Sequence, residues 1–137
     1  MTNADRLTGS IPSGRPWAGI IISGLPALFF LFDALGKFIK PEPVVQGTVE
    51  LGYSESVILP LGIVLLVLTV LYVIPKTSVL GAILLTGYLG GAVATHVRIG
   101  NPLFTHVLFP VYLGVMLWLG LWMRDLRLRQ LIPLRNQ

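Results

Sequence analysis

The chain has 137 residues, of which 54% are apolar and only 12% charged, with a mean hydropathy of +0.81 and a formal net charge of +4. Soluble domains carry roughly 25% charged residues, so this chain has too little polar surface to cover a globule in water and belongs, as one domain, in a membrane. The lack of cysteine excludes thiolate ligation of iron–sulfur clusters, disulfide exchange and any CxxC redox step within the chain.

Residues 1–16 are mostly polar and precede the first apolar run, Trp17 to Phe32, which continues past Asp33 and Lys37 to Ile39. No small-x-small cleavage pattern follows, so the run is expected to stay as an anchor. The connection 40–55 holds Glu42, Glu50, Tyr53 and Glu55, and is the one loop long enough to fold over a bundle. A second run, Ser56 to Ile74, has no charge; Thr77 to Val97 and Leu103 to Met123 complete the set. Each approaches the roughly 20 apolar residues needed to cross a ~30 Å hydrocarbon core. The prediction is an all-α, polytopic four-helix bundle over residues 17–124, followed by a basic tail at 125–137.

Four spans put Arg6, Arg15, Lys76, Arg124, Arg127, Arg129 and Arg135 on one side, and Lys37, Lys40 and Arg98 on the other. The excess of basic residues on the first side predicts that both termini are cytoplasmic. The tail RDLRLRQLIPLR suits a juxtamembrane segment on anionic headgroups. Because the basic residues sit beside helix ends and form no solvated face, no nucleic-acid partner is expected.

Nearly all ionisable groups outside the tails then fall at the outer mouth. Asp33 and Lys37 are spaced i, i+4 with the acid first, the better orientation for an ion pair. A charge inside a span costs about 2.5–3.5 kcal/mol on insertion scales, which favours a paired, inward-facing arrangement. The alternative is that Lys37 and Lys40 snorkel to the headgroups while Asp33 merely accepts a bond from Lys37. In the third run Gly87, Gly91 and Thr95 form a small-residue stripe of the kind that lets a neighbouring helix approach closely, while Leu85 is expected to face lipid. Tyr88, Ala92 and His96 lie beside it at i, i+4 and i+8. His96 and His106 flank a Gly-Asn-Pro turn without HxxxH or HExxH spacing, so no metal site is expected and haem ligation is disfavoured. A polar site and a purely structural role both remain open for them. No Ser-His-Asp order, phosphate loop or catalytic carboxylate pair is present, and independent catalysis is not expected. The apolar inner half and the lack of an internal repeat argue against transport.

The stretches FDALGKFIKPEPVVQGTVELGY and ILPLGIVLLVLTVLYVIPKTSVLGAILLTGYLGGAVATHVRIGNPLFTHVLFPVYLGVMLWLGLW resemble the DoxX-like family of small bacterial membrane proteins, over about residues 17 to 124. The resemblance implies a four-helix membrane domain in a bacterial cytoplasmic membrane. Relatives named for the DoxD-type subunit of a thiosulfate:quinone oxidoreductase imply quinone as the cofactor to test. Three readings follow: a binding module holding a quinone- or lipid-like head among Asp33, Lys37, Tyr88, His96 and His106; an accessory subunit packed on another membrane protein or on a second copy of itself; and a quinone-linked oxidoreductase component.

Overall fold

A computed structural model of the protein describes residues 15–131, and the expectations for the remainder, Arg6 and Arg135 included, lie outside them. The helices are α1 (Arg15–Ile39), α2 (Glu42–Glu50), α3 (Ile58–Val73), α4 (Ser78–Arg98), α5 (Phe109–Arg124) and α6 (Leu126–Leu131). Four stretches are long and apolar enough to cross a membrane: Trp17–Ile39, Glu55–Val73, Ser78–Arg98 and Leu103–Arg124. They agree with the runs read from the sequence to within a residue or two. The spans form a ring in which α1 and α4 each pack against both α3 and α5.

Each span turns one stripe inward at spacings of three and four residues. Ser23, Ala27, Phe30 and Ala34 serve α1; Gly62, Leu65, Thr69 and Tyr72 serve α3; Ala82, Leu85 and Leu89 serve α4; Leu113, Leu117 and Leu121 serve α5. Large apolar residues such as Leu28, Phe32 and Val115 point outward, as a hydrocarbon solvent permits. Two buried hydroxyls are satisfied within their own helices: Ser23 donates to the Gly19 carbonyl at 2.7 Å and Thr69 to that of Leu65 at 2.7 Å.

Two expectations from the third run change. Leu85 is 0% exposed and sits in the core, so it does not face lipid. A Cβ added at Gly87 or Gly91 would meet nothing within 4 Å, so among the described residues no helix approaches there. The tight crossing lies elsewhere: a Cβ on Gly120 would come 2.5 Å from the Ser23 nitrogen, and one on Gly19 would come 3.0 Å from the Gly120 carbonyl oxygen. Gly19 and Ser23 are thus the small-xxx-small pair on which α1 and α5 cross. Spacing alone cannot tell which of several small-residue pairs meets a neighbour.

Helix ends follow local chemistry. Pro75 cannot continue α3, and the carbonyls this frees accept hydroxyls from the next turn: Thr77 donates to Leu71 at 2.7 Å and Ser78 to Tyr72 at 2.8 Å. The connection 40–55, expected as a loop, contains α2. Pro41 at the N-cap and Pro43 in the first turn preset helical entry, and Glu42 suits the positive end of the helix dipole. The run expected from Leu103 onward is not one regular helix. Leu103–Val107 forms a wide turn in which the Val107 and Leu108 amides bond five residues back, to Pro102 at 3.2 Å and Leu103 at 2.9 Å. Pro110, which has no amide to donate, sits in the first turn of the helix that restarts at Phe109.

Candidate functional site

The inward stripes of three spans change character at the end covered by α2. On α1 the stripe passes from Phe30 and Ala34 to Asp33 and Lys37. On α4 it runs Ala82, Leu85, Leu89 and then Ala92 and His96, each step being three or four residues. His106 lies one turn before Pro110, where the α5 stripe begins. Ionisable groups therefore replace core leucines in a single layer.

Two adjoining cavities occupy that layer. One, of about 440 Å³, is bounded by Asp33, Lys37, His96, Asn101 and His106, and roofed by Val44, Gly47 and Thr48 of α2. The other, of about 400 Å³, extends deeper along α4 past Thr95, Ala92, Gly91, Tyr88 and Gly87, with Leu61 and Tyr53 opposite. Asp33, Lys37, Thr48, Leu51 and His96 belong to both, so the two spaces share walls. All five residues singled out from the sequence as ligand candidates lie on these walls. The glycines of the α4 stripe line the deeper space and leave it open.

Lys37 Nζ donates to Asp33 Oδ2 at 2.6 Å; the lysine side chain is the more enclosed, 14% exposed against 36% for the aspartate. Lysine is held inward because α3 presses on its stem: a Cβ on Gly62 would lie 2.8 Å from Lys37 Cβ. The snorkelling alternative does not describe this side chain. Asp33 keeps a second oxygen for the cavity.

The Asn101 amide nitrogen lies 2.7 Å from His96 Nδ1. An amide NH2 only donates, so Nδ1 accepts and the proton resides on Nε2. His96 thus carries an N–H donor besides the nitrogen Asn101 occupies. The His106 ring stands edge-on to His96 with centroids 5.9 Å apart, and its Nδ1 pairs with Thr105 Oγ1 at 2.8 Å. Among the described residues no three His, Asp or Glu side chains are grouped so as to hold a metal ion.

A family model described as the DoxX-like family matches residues 21–120, which reaches into all four spans and takes in every wall residue named above. The chain belongs to the DoxX-like family. It is a small multi-pass integral membrane protein. No curated protein matches it, and no solved structure does.

In this DoxX-like protein the roof is tied down from α4. Arg98 Nη2 donates to the Leu51 carbonyl at 2.6 Å, and Tyr53 and Thr95 hydroxyls pair at 2.9 Å. The sequence pattern marks neither Asn101 nor Thr48 as a site residue, and it places Tyr53 only in the 40–55 connection able to fold over the bundle. Asn101 was absorbed in the turn chemistry of Gly100-Asn101-Pro102, although its place five residues after His96 was a usable signal. Thr48 gives no such signal, because only the fold of α2 brings it over the cavity.

Proposed function

We propose that this protein is a binding module whose site is the cavity pair beneath α2, and that its ligand is a quinone- or lipid-like molecule with an oxygen-rich head. The observation that carries the reading is the convergence of donor-bearing residues on one apolar-floored space: Lys37, His96 and Tyr88 line it together with Leu61, Ala92, Gly87 and Gly91. Carbonyl oxygens of a quinone or ester need donors at their edge and a flat apolar slot for the remainder, and these residues fit both demands. A bound quinone would supply two-electron redox chemistry; the residues here would orient its head and shield it from water. By the basic-residue asymmetry this end faces outward from a bacterial cytoplasmic membrane, with both termini cytoplasmic.

Extraction of the protein in mild detergent, followed by mass spectrometry of the organic extract, tests the reading. Wild type is expected to carry a stoichiometric amphiphile that Lys37→Ala and Tyr88→Phe retain several-fold less. Identical co-purified molecules in identical amounts in all three would defeat it.

The accessory-subunit reading has one supporting feature. An apolar groove of about 580 Å³ runs between α4 and α5 past Gly90, Val93, Gly114 and Trp118, wide enough for a partner helix to approach. Recovery of a single protein species at monomer mass from the gentlest detergents counts against it.

A further inference from the structure

The opposite end of the bundle holds a second polar cavity, of about 470 Å³, between the start of α1, the α3–α4 turn and the α5–α6 junction. Arg124, Arg127 and Asp125 line it, leaving a net positive charge, and Ile20, Pro75, Leu121 and Leu126 form its apolar walls. Among the described residues Lys37–Asp33 is the sole ion pair, so neither arginine has a carboxylate within 4.0 Å. Asp125 shares the wall, but its Oδ1 is turned to the backbone, accepting the Arg127 amide at 2.9 Å and the Leu128 amide at 3.3 Å and so capping α6. Arg124 lies over the Tyr72 ring, 5.4 Å from its centroid, and Tyr72 is itself anchored by donating to the Leu117 carbonyl at 2.8 Å. The Arg124 Nε is buried with no hydrogen-bond partner. A positioned guanidinium with unmet hydrogen-bonding capacity is a half-built anion site.

We propose that this cavity binds a phosphate group, and that Arg124 is its principal ligand with Arg127 assisting. The N-terminus of the 21-residue helix α4, whose Ser78 lines the same space, adds a favourable dipole. The cavity lies where four spans end, at headgroup depth, and its apolar walls suit a phosphodiester that carries acyl chains. The ligand is accordingly the phosphate of an anionic phospholipid or, sharing the same chemistry, free phosphate.

The test is native mass spectrometry of the intact protein in nonionic detergent, titrated with dioctanoyl phosphatidylglycerol or dioctanoyl phosphatidylcholine, with and without inorganic phosphate. Phosphatidylglycerol is expected to be retained about tenfold better than phosphatidylcholine, and about tenfold less by Arg124→Gln and a few-fold less by Arg127→Gln than by wild type. Lys76→Gln, which removes an exposed positive charge on the same face but outside the cavity, is expected to leave this retention unchanged, which separates the site from the general charge of that face. Competition by millimolar inorganic phosphate would identify free phosphate as the occupant; lack of competition would identify the lipid. Equal retention of the two lipids overturns the proposal, as does retention unchanged in the arginine variants. Arg127 is exposed and outside the core, so if Arg124→Gln does not fold, unchanged retention by Arg127→Gln is the overturning result.

Discussion

Asn101 shows how much one side chain decides. By donating to His96 Nδ1 it places the ring proton on Nε2, so the imidazole meets the cavity as a donor. Replacing Asn101 with Leu removes that preference. The ring nitrogens of His96, followed by 15N NMR of labelled protein, should then shift toward a mixture of tautomers while those of His106 stay in place. Leu85 and Gly91 make a second comparison. Leu85 is enclosed on all sides, so Leu85→Ala leaves a void costing about 2 kcal/mol or more, whereas Gly91→Ala adds a methyl to open space and should be close to neutral. Thermal unfolding in detergent compares the two directly; equal losses would mean that α4 is rotated from the orientation described. Gly91→Leu is expected to fold and to fill the deeper cavity, reducing the co-purified ligand without lowering Tm in proportion.

Among the elements, α2 has no buried residue and owes its place to its ends. Lys40 at φ 54° turns the chain out of α1, and Gly52 at φ 89° turns it toward α3. Gly52 is required twice over: its φ lies in the left-handed region, and a Cβ there would sit 2.8 Å from Arg98 Nη2. Gly52→Ala should therefore strain the turn by about 1–2 kcal/mol and push Arg98 off the Leu51 carbonyl. Arg98→Ala removes the same tie without the strain. Hydrogen exchange should report both changes as faster exchange across residues 42–53, with the amides of α3 and α5 unaffected. Faster exchange spread evenly over the bundle would mean that α2 is part of the core and not a roof. The wide turn at Leu103–Val107 acts at the same scale, since it sets His106 at the rim before Pro110 opens α5.

At the scale of the whole molecule, the ring order of the spans puts Asp33, His96 and His106 in one layer although 73 residues of sequence separate the first from the last. The charge bias predicts the orientation in the bilayer. An introduced cysteine at Gln46, exposed on α2, should react with an impermeant thiol reagent from the outside of intact cells, and one at Gln137 only after lysis. Labelling of Gln137→Cys in intact cells would invert the topology and move the α2 cavities to the cytoplasmic face. The parental chain has no thiol, so the readout has no background.

The number of spans, their limits and the depth of each unusual residue were legible in the sequence, because hydrocarbon imposes length and apolarity on every crossing segment regardless of its neighbours. The gathering of Asp33, Lys37, Tyr88, His96 and His106 at one end was legible for the same reason, since depth plus alternating direction places them. What only the tertiary structure decided was rotation about each helix axis. These spans are apolar nearly all round, so composition does not mark the inward face, and the sequence offered the wrong glycines for the crossing and the wrong side for Leu85. Gly19, Ser23 and Gly120 were chosen by which surfaces could approach backbone to backbone. The roof was equally hidden: α2 is a short helix whose local signals were present in Pro41, Glu42 and Pro43, but its position over the cavity depends on Arg98, 47 residues from the Leu51 carbonyl it holds.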